Sequence, residues 1–99
     1  MKVDFQTQDK DKILEDIQNA MGDRSLSKMV KFDMGKDELV VTISKMGTSK
    51  LVFTGACHDG GIAYTLTKEK IAFAHKAFKD DVTSKIVSVI TKAGGKVTT

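Results

Sequence analysis

The chain of 99 residues contains no proline and no tryptophan, one cysteine and one arginine, Arg24. With Cys57 alone, no intrachain disulfide can form, and a disulfide-knit scaffold is excluded. No window approaches the roughly 20 apolar residues a helix needs to cross a bilayer. Met1-Lys2-Val3-Asp4-Phe5 carries a charge at every second position, where a signal peptide would need an unbroken apolar stretch. A cytoplasmic protein without a membrane span is therefore expected. CxxC, HxxxH and HExxH spacings are all missing, as are GxGxxG and GxxxxGK[ST]; Gly60-Gly61 precedes a strand pattern, whereas a phosphate loop would open a helix. No metal, no cofactor and no catalytic set is expected. The lack of proline suits a compact chain of regular elements whose turns are made by glycine.

What is present describes one folded unit. At 10.8 kDa, residues 1–99 have room for a single domain. With 40% hydrophobic and 29% charged residues, the chain has enough apolar mass for a two-layer core and none of the low hydrophobicity of a disordered chain. Sixteen Lys and Arg against thirteen Asp and Glu give +3. The imbalance lies in the second half, where residues 51–99 carry seven lysines and four acids.

Residues 2–7 alternate Val3, Phe5 and Thr7 with polar positions, the period of a strand with one buried face. From Asp9 the period lengthens: Ile13, Leu14, Ile17 and Met21 form a helical stripe, Asp9 can cap it, and Gly22 can end it. Val30, Phe32 and Met34 restore alternation before a Gly35-Lys36-Asp37 turn. Leu39, Val41 and Ile43 continue it, Met46 to Ser49 break it, and Leu51, Phe53 and Gly55 resume it. His58-Asp59-Gly60-Gly61 reads as a turn, and Ile62, Tyr64 and Leu66 alternate once more. Beyond Thr67, read as a helix cap, a stripe of Ile71, Ala74, His75, Phe78, Val82, Ile86, Val89, Ile90 and Ala93 predicts a helix to the Gly94-Gly95 stop, unbroken or bent near 80–81. Unbroken, residues 68–93 span roughly 39 Å. The predicted fold is α+β in the order β-α-β-β-β-β-α, an antiparallel sheet of four to five strands with both helices on one face, to which the first strand could pair at an edge. Its core is Val30, Phe32, Leu39, Val41, Phe53, Tyr64 and Leu66.

Such a helix would overhang a small sheet, so its stripe (Ile71, Phe78, Val82, Ile86, Val89, Ile90) is the expected partner interface, and a homodimer through this helix or the sheet face is the expected assembly. The leading expectation is a small non-enzymatic binding protein with an apolar interaction surface. Two alternatives compete with it. Lys68, Lys70, Lys76, Lys79, Lys85 and Lys92 could line one side of the helix and bind nucleic acid, although stacking aromatics are scarce. Cys57-His58-Asp59 could form an enzyme centre, but neighbours on a strand point to opposite faces; Cys57 reads better as a small buried residue and His58-Asp59-Gly60-Gly61 as a polar loop. His75, on the helix stripe, reads as a packing histidine.

Over about residues 10–93 the chain resembles the small polyhydroxyalkanoic-acid-system proteins of bacteria. The most recognisable phrase runs from Ile43 to Gly55, ISKMGTSKLVFTG, with Met46-Gly47 and Gly55 framing one hairpin. An alternating strand follows, and then Ile71-Ala72-Phe73 to Phe78, the aromatic and apolar entry to a final helix. Family members often carry Leu-Pro before that helix; Leu66-Thr67 stands here. The resemblance implies an accessory, non-enzymatic role in a polyester-granule system and assigns no catalytic residue.

Overall fold

The structure, a computed structural model, describes residues 1–22, 28–44, 47–72 and 79–98. The order is β1 (Lys2–Phe5), α1 (Lys10–Met21), β2 (Val30–Met34), β3 (Glu38–Ser44), β4 (Thr48–His58), β5 (Gly61–Lys70), α2 (Lys79–Lys92) and β6 (Lys96–Thr98). All strand pairs are antiparallel, and the sheet has the order β2-β3-β4-β5-β1-β6. The class is α+β as predicted; among the described residues two helices lie on one face of a sheet of six strands, where four to five were expected.

Alternation builds the core. Val3 and Phe5, Val30 and Phe32, Leu39, Val41 and Ile43, Leu51 and Phe53, and Ile62 and Tyr64 all turn one way and are buried. Ile13, Ile17 and Met21 of α1 and Ile86, Val89 and Ile90 of α2 close over them. Leu66, expected in the core, packs at its margin and is half-buried. Helix α1 begins as its sequence predicts: Lys12 N–H donates to Asp9 Oδ1 at 3.2 Å, and Gly22 ends the helix with φ +34°. Tyr64 meets the Phe5 ring edge-on, with centroids 6.1 Å apart.

Two departures matter. The extra strand follows the Gly94-Gly95 stop. Gly95 N–H donates to Ile90 O at 2.9 Å and Gly94 N–H to Thr91 O at 3.1 Å, the paired bonds of a Schellman ending. Gly94 supplies φ +94°. A Cβ on Gly95 would lie 2.6 Å from Ile90 Cγ2 and 3.0 Å from Phe5 Cε1, so this glycine lets the chain turn tightly back across the core. It then enters β6, which pairs with β1. Strand β1 therefore lies inside the sheet, not at its edge.

The second departure is at residues 67–70. The pattern predicted helix there, and the chain continues as strand to Lys70. Strand β4 is the reason: its eleven residues run well past the predicted hairpin and offer Lys50, Leu51 and Val52 as partners to Lys70, Glu69 and Lys68. The register slips by one residue between Val52 and Phe53, leaving Thr67 as the extra residue of a β-bulge. Thr67 thus serves the bulge rather than a helix cap: its hydroxyl donates to Val52 O at 3.3 Å and lies 2.9 Å from Thr54 Oγ1. Beyond the strand, Ala72 N–H donates to the buried Ser49 hydroxyl at 2.8 Å. The described helix begins at Lys79 and its 14 residues span about 21 Å, so no 39 Å rod runs from residue 68.

Candidate functional site

The two described helices cover one face, no described element covers the other side of the sheet, and register places its residues in rows. One row reads Lys31, Thr42, Lys50, Lys70 across β2 to β5. The next reads Asp33, Val40, Val52, Lys68. Further along lie Glu38, Thr54, Thr65, Lys2 and Thr98, and then Ala56, Ala63, Asp4 and Lys96. All six lysines are exposed, while Val40, Thr42, Val52 and Ala63 are half-buried between them.

These lysines are unequally compensated. Lys31 reaches Asp33 at 4.0 Å. Asp4 is taken by His58, whose Nε2 lies 2.7 Å from Asp4 Oδ1. Among the described residues no ion pair joins Lys50, Lys68 or Lys70 to a carboxylate. Lys50 and Lys70 are directly opposite in the ladder, an arrangement in which like charges destabilise a sheet. The bulge at Thr67 shifts the face presented by the following residues and sends Lys68 and Lys70 to the open side.

Six lysines and three carboxylates (Asp4, Asp33, Glu38) give this face +3, equal to the formal charge of the whole chain. Of the other charged residues whose side chains are described, six are basic and eight acidic, so the positive excess among the described residues lies on this face.

His58 crosses from β4 to β1 over Gly61, where a Cβ would sit 3.0 Å from its Cε1. Its Nδ1 lies 3.1 Å from Asp59 O. Both ring nitrogens therefore face oxygen acceptors, which a doubly protonated imidazolium satisfies by donating twice. The Asp4 hydrogen bond, and after it the Asp59 carbonyl, raise the pKa of His58 above 6.5. Gln8 Nε2 donates to His58 O at 2.7 Å and ties the same corner to the start of α1.

The predicted site residues scatter. Of the stripe expected to receive a partner, Ile86, Val89 and Ile90 are 1%, 4% and 0% exposed, so these three are spent inside the subunit. Ile71 is half-buried against the core, and Phe78 and the side chain of Val82 lie outside the described residues. Lys68 and Lys70 stand on β5 and not on a helix. Lys85 and Lys92 are exposed on α2, on the opposite side of the molecule from the sheet face, while Lys76, His75 and the side chain of Lys79 lie outside the described residues. The six lysines thus form no single track.

Cys57 is exposed, not buried. It pairs with Ile62 and follows the core-side alternation past the reach of the helices, whereas the His58 ring is held on the open face by Asp4. The strand keeps the two apart. No group of three or more His, Cys, Asp or Glu gathers with metal-binding geometry among the described residues, and no described helix is long and apolar enough to cross a membrane. A shallow groove of about 460 Å³ between Asp16, Asn19 and Ala20 of α1 and Lys92, Ala93 and Gly94 at the end of α2 offers one carboxylate and one ammonium group, and Asp16 is already paired with Lys12 at 3.3 Å.

Sequence reasoning missed Lys2, Lys31, Lys50 and Lys96 as members of one surface. The signal was present for each, since each alternates with a buried or half-buried neighbour; what was missing was the strand order that makes them adjacent. No protein-family model, curated protein or solved structure matches the chain.

Proposed function

We propose that the chain is a small non-enzymatic binding protein whose working surface is the open face of the sheet, and that its partner is anionic. The observation that carries this reading is the gathering of six lysines against three carboxylates on that face, the positive excess among the described residues. A polyester-granule surface would call for an exposed apolar stripe. The stripe at Ile86, Val89 and Ile90 is buried, so the binding role moves to the sheet. A helix-borne basic track is replaced by one built from strands.

The test uses inorganic polyphosphate, a linear polyanion without bases or lipid, titrated into the 15N-labelled chain. The amide signals of β4, β5 and β1 around Lys50, Lys68, Lys70 and Lys2 are expected to move, with those of α1 unaffected. Shifts centred on α1 and α2, or none at all at low salt, would overturn the reading.

A further inference from the structure

Resting on that reading, we propose that the occupant of the open face is a nucleic acid, held through its phosphate backbone by lysine charge and threonine hydroxyls, with no reading of the bases. The geometry points to this in three ways.

The first is the shape of the track. Every strand except β3 contributes a lysine to the face: Lys31 from β2, Lys50 from β4, Lys68 and Lys70 from β5, Lys2 from β1 and Lys96 from β6. With neighbouring strands about 4.8 Å apart, six strands place these charges along about 24 Å across the sheet. A regularly charged polymer matches such a track, and a small anion does not. Thr42 lies between Lys31 and Lys50 in one row, and Thr65 and Thr98 flank Lys2 in another. Threonine hydroxyls next to ammonium groups are the donors that phosphate oxygens accept from.

The second is the chemistry the face lacks. Phe5, Phe32, Phe53 and Tyr64 are all turned into the core. Base stacking on aromatic rings is the usual source of preference for single strands and of tolerance among bases. The described face presents no Phe, Tyr or Trp, and the His58 imidazole on it is engaged by Asp4 and the Asp59 carbonyl, which leaves the sequence-independent, salt-sensitive part of nucleic-acid binding. The same composition weighs against other anionic surfaces. Docking to a lipid bilayer uses large apolar side chains that enter the headgroup region, and a protein interface has an apolar centre with aromatic anchors. The centre here is Val40 and Val52, both half-buried below the surrounding lysines and threonines.

The third is the stored repulsion at one corner. Lys50 opposes Lys70 directly, and Lys68 lies on the same side of β5 opposite Val52. Phosphates arriving there would neutralise charges that the free protein leaves facing each other.

Fluorescence anisotropy of the full chain with a labelled 20-base-pair DNA duplex of mixed sequence tests the proposal. Binding at 50 mM NaCl is expected to weaken by about 100-fold at 200 mM, the response of roughly four phosphate contacts. Two unrelated sequences should differ by less than about twofold. The triple variant Lys50→Gln, Lys68→Gln, Lys70→Gln should bind at least tenfold more weakly and show a salt slope lower by about three. Lys12→Gln on the exposed face of α1 should change nothing, with circular dichroism confirming that both variants fold.

No duplex binding at 50 mM NaCl, unchanged affinity in the triple variant, or a single strand bound tenfold more tightly with a preference among bases would each overturn the proposal. Capture of the chain by phosphatidylserine vesicles without duplex binding would remove nucleic acid as the occupant and leave the anionic platform standing. Failure of polyphosphate, duplex and vesicles alike would remove both.

Discussion

At the level of single residues, two glycines show how differently one missing Cβ can matter. A Cβ on Gly61 would lie 2.0 Å from the backbone oxygen of Phe5. That atom belongs to the neighbouring strand and cannot swing aside, so β1 and β5 would have to separate. Gly61→Ala is therefore expected to destabilise the fold by about 3 kcal/mol or more, beyond the usual cost of overpacking. Around Gly94 nothing lies within 4 Å of the added carbon, and only its φ of +94° opposes alanine. Gly94→Ala should cost about 1 kcal/mol. Urea unfolding of both variants checks the ordering, and equal losses would contradict it. The His58 clasp over Gly61 has a pH signature. Its folded pKa is raised by Asp4, so its stabilising contribution is fully present below the unfolded value near 6.5 and disappears as pH rises through the folded value. Asp4→Asn should bring the His58 titration, followed by proton NMR, down toward 6.5 and flatten the stability change across that window. A midpoint indifferent to Asp4→Asn would show that the pair does not form in solution.

At the level of elements, the legible parts were those whose apolar residues carry the period themselves. Helix α1 was readable from Asp9 to Gly22 because its stripe and both caps are local. Strands β2 and β3 were readable because their buried residues alternate without interruption. Residues 67–70 were not: Thr-Lys-Glu-Lys holds no apolar residue, and its strand state is dictated by hydrogen bonds to β4, a non-local partner. Strand β6, three residues long, exists for a similar reason, because β1 needs a neighbour and the glycine pair delivers one. The lysine face was invisible for the same cause, since it is defined by strand order. The bulge itself makes a test. Thr67→Val keeps the shape and removes a hydroxyl bonded to Val52 O and close to Thr54, so a loss of about 1 kcal/mol is expected. Lys50→Glu should act in the opposite direction. It replaces a like-charge pair with Lys70 by an opposite one and should stabilise by about 0.2 to 1 kcal/mol. Thermal unfolding at low salt reads both, and a destabilised Lys50→Glu would place Lys50 and Lys70 out of register.

At the level of the whole molecule, stability and binding draw on the same charges with opposite sign. Folding gathers six lysines on one face, so the free protein stores repulsion that salt should screen within a Debye length of about 10 Å at 0.1 M. The ion pairs pull the other way. Lys12 with Asp16, Lys31 with Asp33 and His58 with Asp4 are all exposed, and such exposed pairs contribute little and weaken with salt. The deciding feature is the corner at Lys50, Lys68 and Lys70, which among the described residues form no ion pair with a carboxylate. Raising NaCl from 20 to 200 mM should therefore raise Tm by about 2 °C, equivalent to roughly 0.3 to 0.5 kcal/mol in a domain of this size. The triple glutamine variant should begin with the higher Tm and respond less. A second copy stacked face to face would meet +3 with +3, so sedimentation at low salt is expected to show no dimer through the sheet. A Tm that falls with salt in the native chain and equally in the triple variant would mean that the three lysines are already neutralised in the free protein, and the face would then have little left to offer a polyanion.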